Sequence, residues 1–416
     1  MRATSHTFSM RATSHTFPLL VIFSTFCFFF TGRIGDKLRL QDFCSIINLF
    51  FIFLALYYRS FRVTPLMLHF IFWWLYITVI TFIFGFYYGH PEALILSLRE
   101  IFYFSFFLIC FYCLVPIELR NLKFLLSFLV QAASIVASIY AIYFIVLGEQ
   151  LYYGIGYFTE SRNPAGSSIY FILLAFLNRV VFIYNNNKLH LFFFYLCLLL
   201  SIFTGARTGM LIVVFFAVTY AFLSAKIYLK FILIIPIILF AALVIGESKF
   251  LVDFLWSLDI ENNVLAAITR RFSTLLELGS SLGSSRLESW IEIIHEIDEL
   301  TVMGTGRGSL HVCYIDCSVT EYGKFTFGLG RDSGFLKSVV EMGYVMSIVY
   351  YALFIHALLV VRKLTSSQRA FNLYFSFLLA MLMGEFSYEL FQTAQGGWGF
   401  WLVTGILIIF FNNQRA

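Results

Sequence analysis

Residues 304–309 read GTGRGS and residues 328–343 read GLGRDSGFLKSVVEMG, where a polar loop passes directly into an apolar run. They close the segment Glu247–Ser333, about 87 residues too polar for a bilayer in a chain that otherwise reads as hydrocarbon-soluble helix. That segment holds 7 of the 28 Lys and Arg residues. A membrane scaffold with one such loop displays it for chemistry or recognition at the surface.

Working outward, 60% of the residues are hydrophobic, 20% aromatic and 12% charged. Soluble domains carry about 25% charged residues, so a soluble globular fold is excluded. Apolar runs fall near 18–32, 43–58, 66–86, 95–115, 124–147, 166–184, 189–204, 208–224, 228–246, 334–361, 371–391 and 398–411. The reading is an all-α polytopic membrane protein with about 12 transmembrane helices (range 11–13) and one large extracytoplasmic loop containing amphipathic helices. It divides into an N-terminal bundle over 1–246, the loop over 247–333 and C-terminal membrane helices over 334–416. Runs as short as 189–204 and 398–411 require flanking protein or a locally thinned bilayer. At the start, MRATSHTFS precedes a second MRATSHTF, a duplicated leader with no structural content.

Charge sets the orientation. With the N-terminus inside, thirteen Lys and Arg residues, including Arg59, Arg62, Arg120, Lys123, Arg362 and Lys363, fall on the inner side. The opposite short loops hold five: Arg33, Lys37, Arg39, Arg162 and Arg207. The positive-inside rule then puts both termini in the cytoplasm and the long loop outside. Within that loop the pattern predicts helices over Ile260–Leu278 and from Ser285, the second opening on a capping box at Ser285–Glu288.

Four outward arginines sit among small residues: Arg162 in ESRNPAG, Arg207 in TGARTG, Arg286 in GSSRLESW and Arg307 in GTGRGS. Arginine suits bidentate phosphate contact, and neighbouring glycine lets backbone N–H groups approach an oxyanion. Such arginines also serve as interfacial anchors, snorkelling to headgroups. Asp332 fits either a helix N-cap or a chemical role. Glu341 lies two turns into a span, with Lys337 at i−4 as the local partner. Glu385, Glu389 and the Arg99–Glu100 pair raise the same question of partners. His311, Cys313 and Cys317 lack a fourth ligand at zinc spacing. Walker, Rossmann, G-x-S-x-G and HExxH patterns are absent from the sequence.

Together, Arg286-x3-Trp290, Gly304-Thr305-Gly306, the run Asp332-Ser333-x-Phe335-Leu336-x6-Gly343 and the TGARTG turn resemble the bacterial O-antigen polymerase (Wzy) family. The related O-antigen ligases share the architecture, but their last motif typically opens with His where this chain has Asp332. The resemblance implies a metal-independent glycosyltransferase without a cofactor, at the outer face of a Gram-negative inner membrane. It joins oligosaccharide repeat units carried on undecaprenyl diphosphate. Donor and acceptor are both lipid-linked glycans in the bilayer; a chain-length regulator is an expected partner and nucleic acid is not. Arg162, Arg207, Arg286 and Arg307 are then candidate diphosphate ligands. Asp332, Glu160 or His311 is the candidate base for the attacking hydroxyl. Ligase and lipid-linked oligosaccharide flippase are the alternatives. On an oxidising outer face, Cys313 and Cys317 are expected to form a local disulfide.

Overall fold

The computed structural model describes residues 18–27, 29, 33–34, 38–57, 64–87, 93–112, 119–146, 164–225, 303–307, 333–386, 388, 390–391 and 393–411. Eleven helices lie among them. They are α1 (Pro18–Cys27), α2 (Leu40–Tyr57), α3 (Pro65–Tyr87), α4 (Ala93–Tyr112), α5 (Leu119–Val146) and α6 (Pro164–Asn185). There follow α7 (Lys188–Phe203), α8 (Arg207–Ser224), α9 (Gly334–Leu364), α10 (Gln368–Glu385) and α11 (Gly399–Phe411). A two-residue antiparallel ladder pairs Arg33–Ile34 with Leu38–Arg39 ahead of α2.

Among the described residues, five helices are long and apolar enough to cross a bilayer: α3, α5, α6, α8 and α9. The architecture is that of a helical membrane protein. α3 shows how one apolar sequence serves two solvents. Leu66, Phe70, Trp73, Ile77 and Ile80 form the buried stripe, while Leu68, Phe72, Leu75, Val79, Phe82 and Phe86 form an exposed apolar stripe suited to lipid.

The centre belongs to α6 and α11. α11 packs against α4, α5, α6, α9 and α10, and every one of its residues is buried. Thirteen residues span only about 20 Å, short of a hydrocarbon core of about 30 Å, so this helix is wrapped in protein, as its length requires. α6 meets α5, α7, α8, α10 and α11. α8 approaches α6 closely because Gly209 has no side chain: a Cβ there would reach Ser168 Oγ and lie 2.6 Å from Ser168 Cβ.

Two boundaries differ from the sequence reading. The run 371–391 breaks at Glu385; its continuation turns through Leu390 and Phe391 into a π-helical turn, Ala394–Trp398, ahead of α11. The run 334–361 is kinked, because Gly343 takes φ 75° and ψ 168° inside α9. The run 228–246 and both expected loop helices lie outside the described residues.

Candidate functional site

The kink creates the site. Breaking α9 at Gly343 leaves the carbonyls of the turn before it without their usual i+4 donors. Residues 303–307 supply the replacements. Thr305 N–H donates to Val340 O at 3.0 Å, Gly306 N–H donates to Glu341 O at 2.9 Å, and Thr305 Oγ1 also donates to Val340 O at 3.2 Å. From the other side of the break, Ser347 Oγ is within 2.8 Å of both Ser338 O and Gly343 O. A loop hook therefore caps a helix segment that would otherwise expose carbonyls in an apolar setting.

Only glycine fits the tip. Gly304 has φ 78°, and a Cβ there would lie 2.5 Å from Met342 C and 2.7 Å from Glu341 O. The hook is held on its other flank by α3. Tyr76 OH donates to Met303 O at 3.1 Å, and Arg307 N–H donates to Thr81 Oγ1 at 2.7 Å.

Arg307 closes the hook with charge. Its Nη1 donates to Glu341 Oε2 at 3.2 Å, and its Nη2 is ion-paired with Glu100 Oε1 of α4. Arg307 is 3% exposed, Glu100 7% and Glu341 0%. Burial alone pulls the guanidinium pKa down, but the charges of Glu100 and Glu341 more than offset it, so Arg307 is held above its ordinary value and stays charged. Lys337 is buried nearby, and its charge acts on Glu100. Two cations and two carboxylates thus compensate one another at a bundle end. Losing one partner of such a pair costs about 3–5 kcal/mol, because the other charge is stranded.

The TGARTG turn occupies the same end. Phe335 of α9 stacks on Phe386 at 5.2 Å between ring centroids, just past α10, and Gly384 of α10 packs on Ile212 of α8. The first turns of α8 therefore lie at the same bundle end as the start of α9, with the end of α10 between them. Arg207 opens α8, half-buried, after a turn in which Thr204 Oγ1 accepts the Ala206 N–H at 3.3 Å. Glu385 lies at this end as well, buried, and accepts the Phe391 N–H at 3.0 Å.

No protein-family model and no curated protein matches the chain.

Of the candidates named from the sequence, Arg207 and Arg307 are described and share one bundle end. Asp332, Glu160, His311, Arg162 and Arg286 lie outside the described residues, as do Cys313, Cys317 and Glu389. One local reading is corrected and another is extended. The α9 N-cap is Ser333, whose hydroxyl accepts the Leu336 N–H at 3.3 Å; Asp332 lies one residue too early for it. Glu341 also has an ion partner that its own helix does not show, Arg307, 34 residues away in sequence. Thr81 and the Gly343 kink were missed. Glycine inside an apolar helical run was the available signal for the kink; Thr81 gave none.

Proposed function

We propose that this chain is an O-antigen polymerase-type glycosyltransferase that joins undecaprenyl-diphosphate-linked repeat units at the bundle end carrying the hook. One observation supports the reading most. Two stretches behind the family resemblance, Gly304–Arg307 and Ser333–Gly343, clasp each other, at the bundle end where α8 opens on TGARTG. Residues 308–332, which include His311 and Asp332, join these two stretches in sequence.

In this reading a base, Asp332, Glu160 or His311, takes the proton of the acceptor sugar hydroxyl. The hydroxyl oxygen bonds to the donor anomeric carbon, and the bond from that carbon to the diphosphate oxygen breaks. Arg162, Arg207 and Arg286 neutralise the departing diphosphate. Arg307 takes a different part from the one its sequence context suggested. With Nη1 and Nη2 committed to Glu341 and Glu100, it anchors the loop and leaves the diphosphate to the other three.

The test is the glycan profile of cells lacking the chain. Single repeat units on the lipid A core support polymerase. A bare core with polymer left on the carrier indicates ligase, and repeat units retained on the cytoplasmic face indicate flippase; either result overturns the proposal.

A further inference from the structure

At the bundle end opposite the hook, three side chains from three helices form a relay. Ser127 Oγ of α5 lies 3.1 Å from His190 Nε2 of α7, and His190 Nδ1 lies 2.9 Å from Asn178 Oδ1 of α6. The surroundings fix the protons. Asn178 Nδ2 donates to Leu174 O at 2.9 Å and to Ser134 Oγ at 2.7 Å, so its Oδ1 faces His190 as an acceptor. His190 Nδ1 must then carry the hydrogen, leaving Nε2 as a lone pair that receives the Ser127 hydroxyl. A serine paired with a neutral imidazole, itself oriented by an amide oxygen, is the arrangement of an activated nucleophile.

The order of burial agrees. His190 and Asn178 are fully buried, whereas Ser127 is half-exposed and outermost. Asn185 Nδ2 donates to Ser127 Oγ at 3.5 Å, which leaves the serine's own hydrogen for His190 Nε2. Around the serine, Phe124 and Phe128 face outward, 73% and 60% exposed. Lys123 lies one helical turn before Ser127, and Lys188 opens α7. Apolar rings beside amines match an acyl chain beside an anionic headgroup.

We infer that Ser127, His190 and Asn178 form a second reactive site, independent of the glycan chemistry proposed above, that cleaves a fatty-acyl ester of an anionic membrane lipid. Ser127 Oγ attacks the acyl carbonyl carbon as His190 Nε2 takes its proton. The ester C–O bond breaks, and the leaving alkoxide recovers that proton from His190. Water then attacks the acyl-serine with His190 as base, releasing the fatty acid and restoring Ser127. Asn178 is the positioning residue.

The experiment treats the full-length chain in lipid nanodiscs with a long-chain alkyl fluorophosphonate and maps the adduct by mass spectrometry. Folded wild-type protein is expected to carry the adduct on Ser127, and heat-unfolded protein is not. His190→Gln should slow labelling by on the order of 10²-fold or more. Asn178→Asp, which keeps the acceptor oxygen, should retain labelling that Asn178→Leu loses. No adduct on Ser127 of the folded wild type overturns the site, as does an equal rate in folded His190→Gln. If a variant does not fold, the folded against unfolded wild-type comparison decides alone. Labelling without fatty-acid release from phosphatidylglycerol vesicles overturns the substrate class.

Discussion

Replacing Gly304 by alanine tests whether the hook truly caps the broken helix. The new Cβ would stand 2.5 Å from Met342 C and 2.7 Å from Glu341 O, where ordinary contact begins near 3.4 Å. The hook must therefore retreat by about 1 Å. That stretches the Thr305–Val340 and Gly306–Glu341 bonds, 3.0 and 2.9 Å in the native chain, to about 4 Å, beyond hydrogen-bonding range. Two lost bonds cost about 1 kcal/mol each, and a left-handed alanine costs about 1–2 kcal/mol more. The sum, about 3–4 kcal/mol, favours the undocked hook by on the order of 10²–10³-fold relative to the wild type. Hydrogen–deuterium exchange of the peptide containing residues 303–307, in detergent or nanodiscs, reads it directly: the Thr305 and Gly306 amides should exchange faster by that factor. Unchanged protection of those two amides in Gly304→Ala protein would refute the capping geometry.

Arg307→Ala should lower stability by about 3–5 kcal/mol by stranding Glu100 and Glu341, seen as a fall in detergent melting temperature. Adding Glu100→Gln and Glu341→Gln should recover most of that loss, and no recovery would mean that the carboxylates are not its cause. Ser333→Ala should cost about 1 kcal/mol as a lost cap, whereas Asp332→Asn should leave melting unchanged. On the proposed function, a loss of polymerisation in Asp332→Asn protein then reports on the carboxylate and not on the helix cap. For orientation, an impermeant thiol reagent should label cysteines introduced within 250–330 in intact spheroplasts and those within 362–370 only after lysis. The reverse pattern would overturn both the charge count and the outer-face reading.

Most of the described helices were legible as dense apolar runs parted by polar or turn-forming residues. Asn185–Asn187 parts α6 from α7, and Thr204–Ala206 parts α7 from α8. Past α10 the signal failed: residues 386–391 read FSYELF, and Phe386, Leu390 and Phe391 carry the apolar run past the break in spite of Ser387 and Glu389. At the site, local chemistry was readable and distant chemistry was not. Lys337 and Glu341 advertise themselves at i and i+4, but the Glu100–Arg307 pair spans 207 residues and depends on how α4 meets the loop. The relay of Ser127, His190 and Asn178 was hidden for the same reason, since each residue alone looks like an isolated polar group in an apolar span.

The chain is made from its N-terminus, and that gives the Arg307 pairing a temporal meaning. Thr81 and Glu100 are synthesised long before residues 303–307, so Arg307 emerges to find both partners on helices already translated. Glu341 follows later, as part of a span that carries its carboxylate into hydrocarbon one turn after Lys337. By then its counter-charge is waiting on the neighbouring loop. The hook acts as a docking berth for α9, so the Glu341 charge meets a guanidinium on a loop that is already made.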